Sequence, residues 1–153
     1  MNKPKYHLSP AGDFVIENYN AAASFASFFP GIAGIFGCPM WVFYDNRGQC
    51  ITSAGIFDKN SPIMEFQPAN KAYRLTSLQG FRTFLKVDGH YYEPFRENST
   101  HRQEMHIATH SLRIIETNTE LKIRTEVTFF TIPNEQFPAL ARIMKVVNLG
   151  SKS

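Results

Sequence analysis

The residues best equipped for chemistry lie between Pro62 and Lys86. Glu65, Gln67, Asn70, Lys71 and Arg82 supply hydrogen-bond donors and acceptors, while Phe66, Tyr73 and Phe81 supply ring faces. Sugars need that mixture, with polar groups for vicinal hydroxyls and flat rings for the C–H faces. Arg and Lys side chains also meet phosphate. The candidate substrate-binding set is therefore Glu65, Gln67, Asn70, Lys71, Tyr73 and Arg82. The plainer alternative makes Glu65, Arg74 and Arg82 strand-edge ion pairs and the aromatics core, and on one sequence it weighs more. Trp41, the single tryptophan, is another stacking platform in principle. Its apolar run, Met40 to Phe43, favours burial in the core instead.

Other constellations fall short of a site. His101, His106 and His110 lie close together with Glu104 among them. His106 and His110 would suit zinc on a helix. The surrounding pattern is extended, which puts the two side chains more than about 10 Å apart. No metal site is expected. Glu65, Glu93, Glu97 and Glu104 are available as acids, but their spacing singles out no glycosidase pair. There is no Gly-x-Ser-x-Gly elbow. Cys38 and Cys50 fit neither a zinc motif nor a nucleophile context and read as reduced thiols. No residue is assigned a catalytic role.

The elements that must position these groups are mostly strands. Met40 to Tyr44 is apolar throughout, and the turn Asp45-Asn46-Arg47-Gly48 returns the chain through Gln49 to Ile56 as a hairpin. Arg74 to Leu78 and Phe81 to Val87 read as a strand pair around Gln79-Gly80. Asp88-Gly89 turns the chain into His90 to Phe95. Gln103 to Thr109 and Ser111 to Thr117 are extended, with a tight turn at Asn118-Thr119. Leu121, Ile123, Thr125, Val127 and Phe129 then share one face, and Lys122, Arg124, Glu126 and Thr128 the other. Leu140 to Leu149 is the last strand. The best helix candidate is Asn20 to Phe29, ended by Pro30-Gly31. Gly31, Gly34 and Gly37 mark a tightly packed loop, with the wrong spacing for a phosphate cradle. The fold class is all-β, an antiparallel β-sandwich.

Composition agrees. The 153 residues are 43% hydrophobic and 19% charged, which excludes an extended disordered chain. Fourteen of them are phenylalanine, which favours a packed, strand-rich body. A net charge of +3, scattered along the chain, predicts no nucleic-acid partner. No apolar run is long enough for a membrane helix, and the polar start, Met1 to Pro10, predicts no secretory signal. The default location is the cytoplasm.

Six stretches carry a resemblance, in order along the chain. They are Phe14-Val-Ile-Glu-Asn-Tyr-Asn20, Phe28-Phe-Pro-Gly-Ile-Ala-Gly34, Pro39-Met-Trp-Val-Phe-Tyr-Asp-Asn-Arg-Gly-Gln-Cys50, Met64-Glu-Phe-Gln-Pro-Ala-Asn-Lys-Ala-Tyr73, Gly80-Phe-Arg-Thr-Phe84 and Val127-Thr-Phe-Phe-Thr-Ile-Pro-Asn-Glu135. Over roughly Gly12 to Gly150 the chain resembles the N-terminal portion of glycoside hydrolase family 94 phosphorylases, nearest to the 1,2-β-oligoglucan (sophoro-oligosaccharide) branch. The resemblance implies a galactose-mutarotase-like super-sandwich that belongs to a larger enzyme. Its (α/α)6 barrel carries the catalytic Asp and the phosphate site, so no catalytic residue is carried onto this chain. The implied reaction is phosphorolysis with inversion, giving α-glucose 1-phosphate without metal or other cofactor. The implied partners are a β-glucan oligosaccharide, inorganic phosphate and a second subunit of a homodimer. The resemblance places the cluster from Glu65 to Lys86 near the substrate entrance. It further implies that strands follow Leu149, so residues 1–153 would be an incomplete sandwich with an open edge, prone to self-association.

Overall fold

The computed structural model describes residues 3–150. Twelve strands and one helix follow in order: β1 (Lys5–Leu8), β2 (Phe14–Glu17), β3 (Ala26–Pro30), β4 (Met40–Asp45), β5 (Ile51–Ile56), β6 (Pro62–Met64), α1 (Ala69–Gln79), β7 (Leu85–Val87), β8 (His90–Tyr92), β9 (Arg102–Ile107), β10 (Ser111–Asn118), β11 (Ile123–Thr131) and β12 (Leu140–Asn148). A six-stranded sheet runs β1-β2-β9-β10-β11-β12. A four-stranded sheet runs β3-β4-β5-β6, and β7-β8 form a separate hairpin. Every strand pairing is antiparallel. The fold is an all-β antiparallel sandwich. Among the described residues, no helix is long and apolar enough to cross a membrane.

Strand alternation builds the core. In β11, Ile123, Thr125, Val127, Phe129 and Thr131 are buried while Arg124, Glu126 and Thr128 are not. β10 presents Leu112, Ile114, Glu116 and Asn118 in register with them. The four-stranded sheet answers with Phe29, Val42, Tyr44, Ile51 and Ala54, and the two sets share one apolar cluster.

Two sequence expectations are overturned. Asn20 to Phe29 is not a helix: a single 3-10 turn, Tyr19–Ala21, leads into β3. The buried Asn46 side chain explains this. Its Nδ2 donates to the carbonyls of Tyr19 (3.1 Å), Ala22 (3.4 Å) and Ala23 (3.1 Å). Its Oδ1 accepts from Phe25 N–H (3.2 Å). A side chain from the β4–β5 turn thus satisfies the groups a helix would have paired. The second correction is that Arg74 to Leu78 is helical, inside α1, and only Leu85–Val87 of the second segment is a strand. Pro68 precedes the helix, and Lys71, Ala72, Arg74, Leu75 and Gln79 favour it. Ala72 and Thr76, four apart, form its buried face.

The glycine-rich loop between β3 and β4 is closely packed, as its spacing predicts. Gly34 has φ +74°, and a Cβ there would lie 2.1 Å from Asn134 Oδ1. Asn134 N–H in turn donates to the Ala33 carbonyl (2.6 Å).

Candidate functional site

Trp41 is not in the core between the sheets. Strand β4 buries Met40, Val42 and Tyr44 inward, so Trp41 and Phe43 face the other side of the four-stranded sheet. Phe28 of β3 is paired with Phe43 and shares that face. Phe66, just past β6, completes the group. Ring centroids are 4.6 Å apart for Phe28–Phe43, 5.2 Å for Phe43–Phe66 and 6.2 Å for both Trp41–Phe66 and Phe28–Phe66. Phe43 is buried as the floor; Phe28 and Phe66 are 51% and 40% exposed. Phe28, Trp41, Phe66 and Lys59 line a shallow groove of about 340 Å³.

Local chemistry fixes the rings. Trp41 Nε1–H donates to the Asp58 carbonyl (2.9 Å). A Cβ on Gly55 would come within 2.4 Å of Trp41 Cζ2, so a glycine opposite Trp41 is what lets the indole settle onto β5. The buried Ser53 holds the Phe66 segment: its Oγ donates to the Glu65 carbonyl (2.8 Å) and accepts from Gln67 N–H (3.2 Å). The groove offers aromatic C–H stacking surface with one ammonium at its rim, suited to the apolar face of a pyranose.

The six predicted site residues are not gathered in one place. Glu65 and Gln67 line a separate cavity of about 230 Å³ with Thr52, Leu75 and Gln79. Asn70 and Lys71 are exposed on α1, and Tyr73 is half-buried there. Arg82 makes a two-pronged pair with Glu93, Nε–Oε1 2.6 Å and Nη2–Oε2 2.8 Å, with its guanidinium 4.9 Å from the Phe84 ring centroid. That pair lines a third cavity, about 240 Å³. The predicted set thus belongs to three neighbourhoods. Sequence reading missed Phe28 and Lys59 as groove residues. The Phe28-Phe29 pair held a signal, because adjacent residues of a strand point to opposite faces.

No catalytic constellation appears among the described residues. No group of three His, Cys, Asp or Glu is placed to hold a metal. The acids are engaged separately: Glu93 by Arg82, Glu97 by Ser77 (3.1 Å), and Glu104 by Arg102 (2.9 Å) and His106 (3.3 Å). Glu104 is held below its usual range first by the His106 hydrogen bond and then by Arg102. Arg113 Nη2 donates to His106 Nδ1 (3.1 Å), which leaves His106 Nε2–H to donate to Glu104. Cys38 and Cys50 are free thiols, and burial pushes Cys50 up, away from the thiolate. A larger open cleft, about 670 Å³, runs along Lys3, Asn18, Asn20, His101 and Arg102. Several of its polar groups are already paired, as in Asn20 Nδ2 to the Ser99 carbonyl (3.1 Å) and Asn118 Nδ2 with His101 Nε2 (3.0 Å), and no Phe, Tyr or Trp lines it. No protein-family model, curated protein or solved structure matches this chain.

Proposed function

We propose that this chain is the non-catalytic N-terminal sandwich of an inverting β-glucan phosphorylase of the 1,2-β-oligoglucan type, and that its groove holds the glucan. The observation that carries the glucan contact is the outward-facing ring groove of Phe28, Trp41 and Phe66 over Phe43. The six collinear stretches support the phosphorylase assignment. The acid, the phosphate site and the formation of α-glucose 1-phosphate then belong to a barrel outside these residues. The substrates are the oligosaccharide and inorganic phosphate, the working form is a homodimer, and two free thiols suit a reducing cytoplasm.

The test uses the single tryptophan as its own reporter. Titrating β-1,2-gluco-oligosaccharides into the chain should shift Trp41 emission, and Trp41→Ala should cost about tenfold in affinity by calorimetry. In a full-length relative carrying these motifs, the same replacement should raise KM for the oligoglucan and leave kcat in place. No binding by either measurement overturns the glucan role. Phosphate-dependent release of glucose 1-phosphate by this chain alone overturns the non-catalytic assignment. A second reading, a self-standing carbohydrate-binding module, is favoured by one fact: the groove is built entirely within this chain. An unchanged KM in the full-length variant, with oligosaccharide binding by the chain alone, selects it. A ligand-free scaffold predicts neither effect.

A further inference from the structure

The cavity beside Arg82 lies between two segments that the fold brings together. One wall is the end of α1 and the residues after it, with Ser77, Phe81 and Arg82. The other is the stretch after β8, with Glu93, Phe95 and Glu97. Two contacts tie the walls together: the two-pronged Arg82–Glu93 pair, and Ser77 Oγ–H donating to Glu97 Oε2 (3.1 Å). The side toward the core is apolar. The Phe81 ring centroid is 5.4 Å from that of Phe129, and Phe95 belongs to the core cluster. The β4–β5 turn approaches α1 closely here, since a Cβ on Gly48 would lie 3.0 Å from Ser77 Cα.

Holding the second wall in place costs stability. Phe95 is 2% exposed and has φ +65°, a left-handed conformation that a bulky side chain rarely adopts. Its N–H donates to Oε2 of Glu116 (3.0 Å), and Tyr92 Oη–H and Gln103 Nε2–H donate to the same carboxylate. Glu116 is buried, and no cation pairs with it among the described residues. A buried carboxylate without a cation and a strained aromatic both work against the fold. A turn that only linked β8 to β9 would need neither. Together they mark a wall that must stand in one position.

The lining selects the chemistry of the ligand. Arg82 and Glu93 neutralise each other, and Arg96 and Glu97 add one charge of each sign. A charged ligand would have to break the two-pronged pair to be matched. A hydroxyl would not, because Arg82 keeps its Nη1–H groups to donate and both Glu93 oxygens keep lone pairs to accept. Ring faces on the core side suit C–H groups. The cavity of about 240 Å³ has room for about eight waters, the bulk of one sugar ring. We propose that it is a binding site for one neutral hexose ring, a free sugar or the end of a chain. The C–H face lies against Phe81, and the vicinal hydroxyls meet Arg82, Glu93 and Glu97. The site shares no residue with the groove of Phe28, Trp41 and Phe66 and is independent of the glucan reading.

The experiment follows the amide 1H–15N spectrum of the chain as D-glucose is added to about 50 mM. The expected result is a set of shifts at Ser77 to Arg82 and at Glu93 to Asn98 that saturates at millimolar sugar. Gluconate and protonated glucosamine carry the same carbon frame with a charge of either sign, and each should bind about tenfold more weakly or worse. Arg82 and Glu97 are 39% and 47% exposed in their side chains, so Arg82→Ala and Glu97→Ala should keep the fold. Each should weaken glucose binding by about tenfold. A β-1,2-linked tetraose that shifts the same amides at lower concentration than glucose identifies a chain end as the ligand, and equal concentrations identify the free sugar. No shift at these amides overturns the proposal. So do shifts confined to the Trp41 indole and to Phe28 and Phe66, a charged analogue that binds as tightly as glucose, or undiminished binding by both variants. Where a variant fails to fold, the shift map of the parent chain still decides.

Discussion

On the outer side of the four-stranded sheet, Phe28, Trp41, Phe43 and Phe66 lie ring against ring. The outer side of the six-stranded sheet carries ion pairs instead: Arg102–Glu104 at 2.9 Å, Arg124–Glu126 at 3.0 Å and the looser Arg102–Glu17 at 3.9 Å. Their inner faces feed the same core, so packing does not explain the contrast. An ion-paired face is a solvated face and needs no ligand. Exposed rings gain nothing from water and are the surface a C–H-faced ligand would cover. The contrast extends to one acid on each side. Asp45, fully buried where α1 crosses the four-stranded sheet, is pushed up to about 6 by burial, against hydrogen bonds from Thr76 Oγ1 (2.7 Å) and Arg47 N–H (2.8 Å). Glu104, on the charged face, is lowered by His106 and Arg102.

The largest effect should come from breaking the floor of the aromatic face. Phe43 is 5% exposed and touches both Phe28 and Phe66. Phe43→Ala should cost about 3–5 kcal/mol, from lost burial and the cavity left behind. Urea unfolding checks it: the midpoint should fall with little change in slope. A loss under about 1 kcal/mol would mean that the rings above Phe43 are decoration and not a packed unit.

The two acids give the next effect. Between about pH 4 and pH 6 the native chain holds a proton on Asp45 that the unfolded chain has released. Stability therefore rises as pH falls through that window, by up to about 3 kcal/mol, and the gain is absent above pH 6. Glu104 acts the other way and lower down. Its lowered value stabilises the fold above the ordinary carboxylate range, and that contribution is lost as pH falls below it. Asp45→Asn should flatten the rise between pH 6 and pH 4 in urea titrations and leave the acid-side fall. An unchanged slope would show that Asp45 is not the group responsible.

Legibility differed by element. β11 was plain in the sequence because one face is buried and the other wet, which prints a period of two. β4 was located but its facing was not, since aromatics cover both sides and no alternation survives. Nothing local announced that Trp41 points outward; the ring contacts with Phe28 and Phe66 come from segments 13 and 25 residues away in sequence. The region before β3 departs from the helix its sequence predicts because its backbone partner is a side chain, Asn46, more than 20 residues on. The strand pattern on either side predicts a strand over Arg74 to Leu78, although the straight-chain residues of α1 favour a helix there. The candidate residues failed to converge for a related reason. Glu65 and Gln67 flank Phe66 on one extended segment, so alternation sends them away from the groove that Phe66 enters.

The smallest effect belongs to the charged face, and it is the control for the rest. Arg124 is 41% exposed and Glu126 18% in their side chains, at a separation of 3.0 Å. An ion pair that water reaches contributes at most about 1 kcal/mol, with salt screening much of it. Arg124→Ala should therefore shift stability by about 0.5 kcal/mol or less and leave the proposed oligosaccharide binding unchanged. Raising the salt should erase the difference between variant and parent. If Arg124→Ala instead weakened glucan binding as much as Trp41→Ala, the division of labour between the two outer faces would be wrong. Glucan would then have to contact both sheets, which face away from each other across the core. A single oligosaccharide cannot do that without wrapping the β1 or β12 edge, so the charged-face variant tests the geometry of the groove from the opposite side of the molecule.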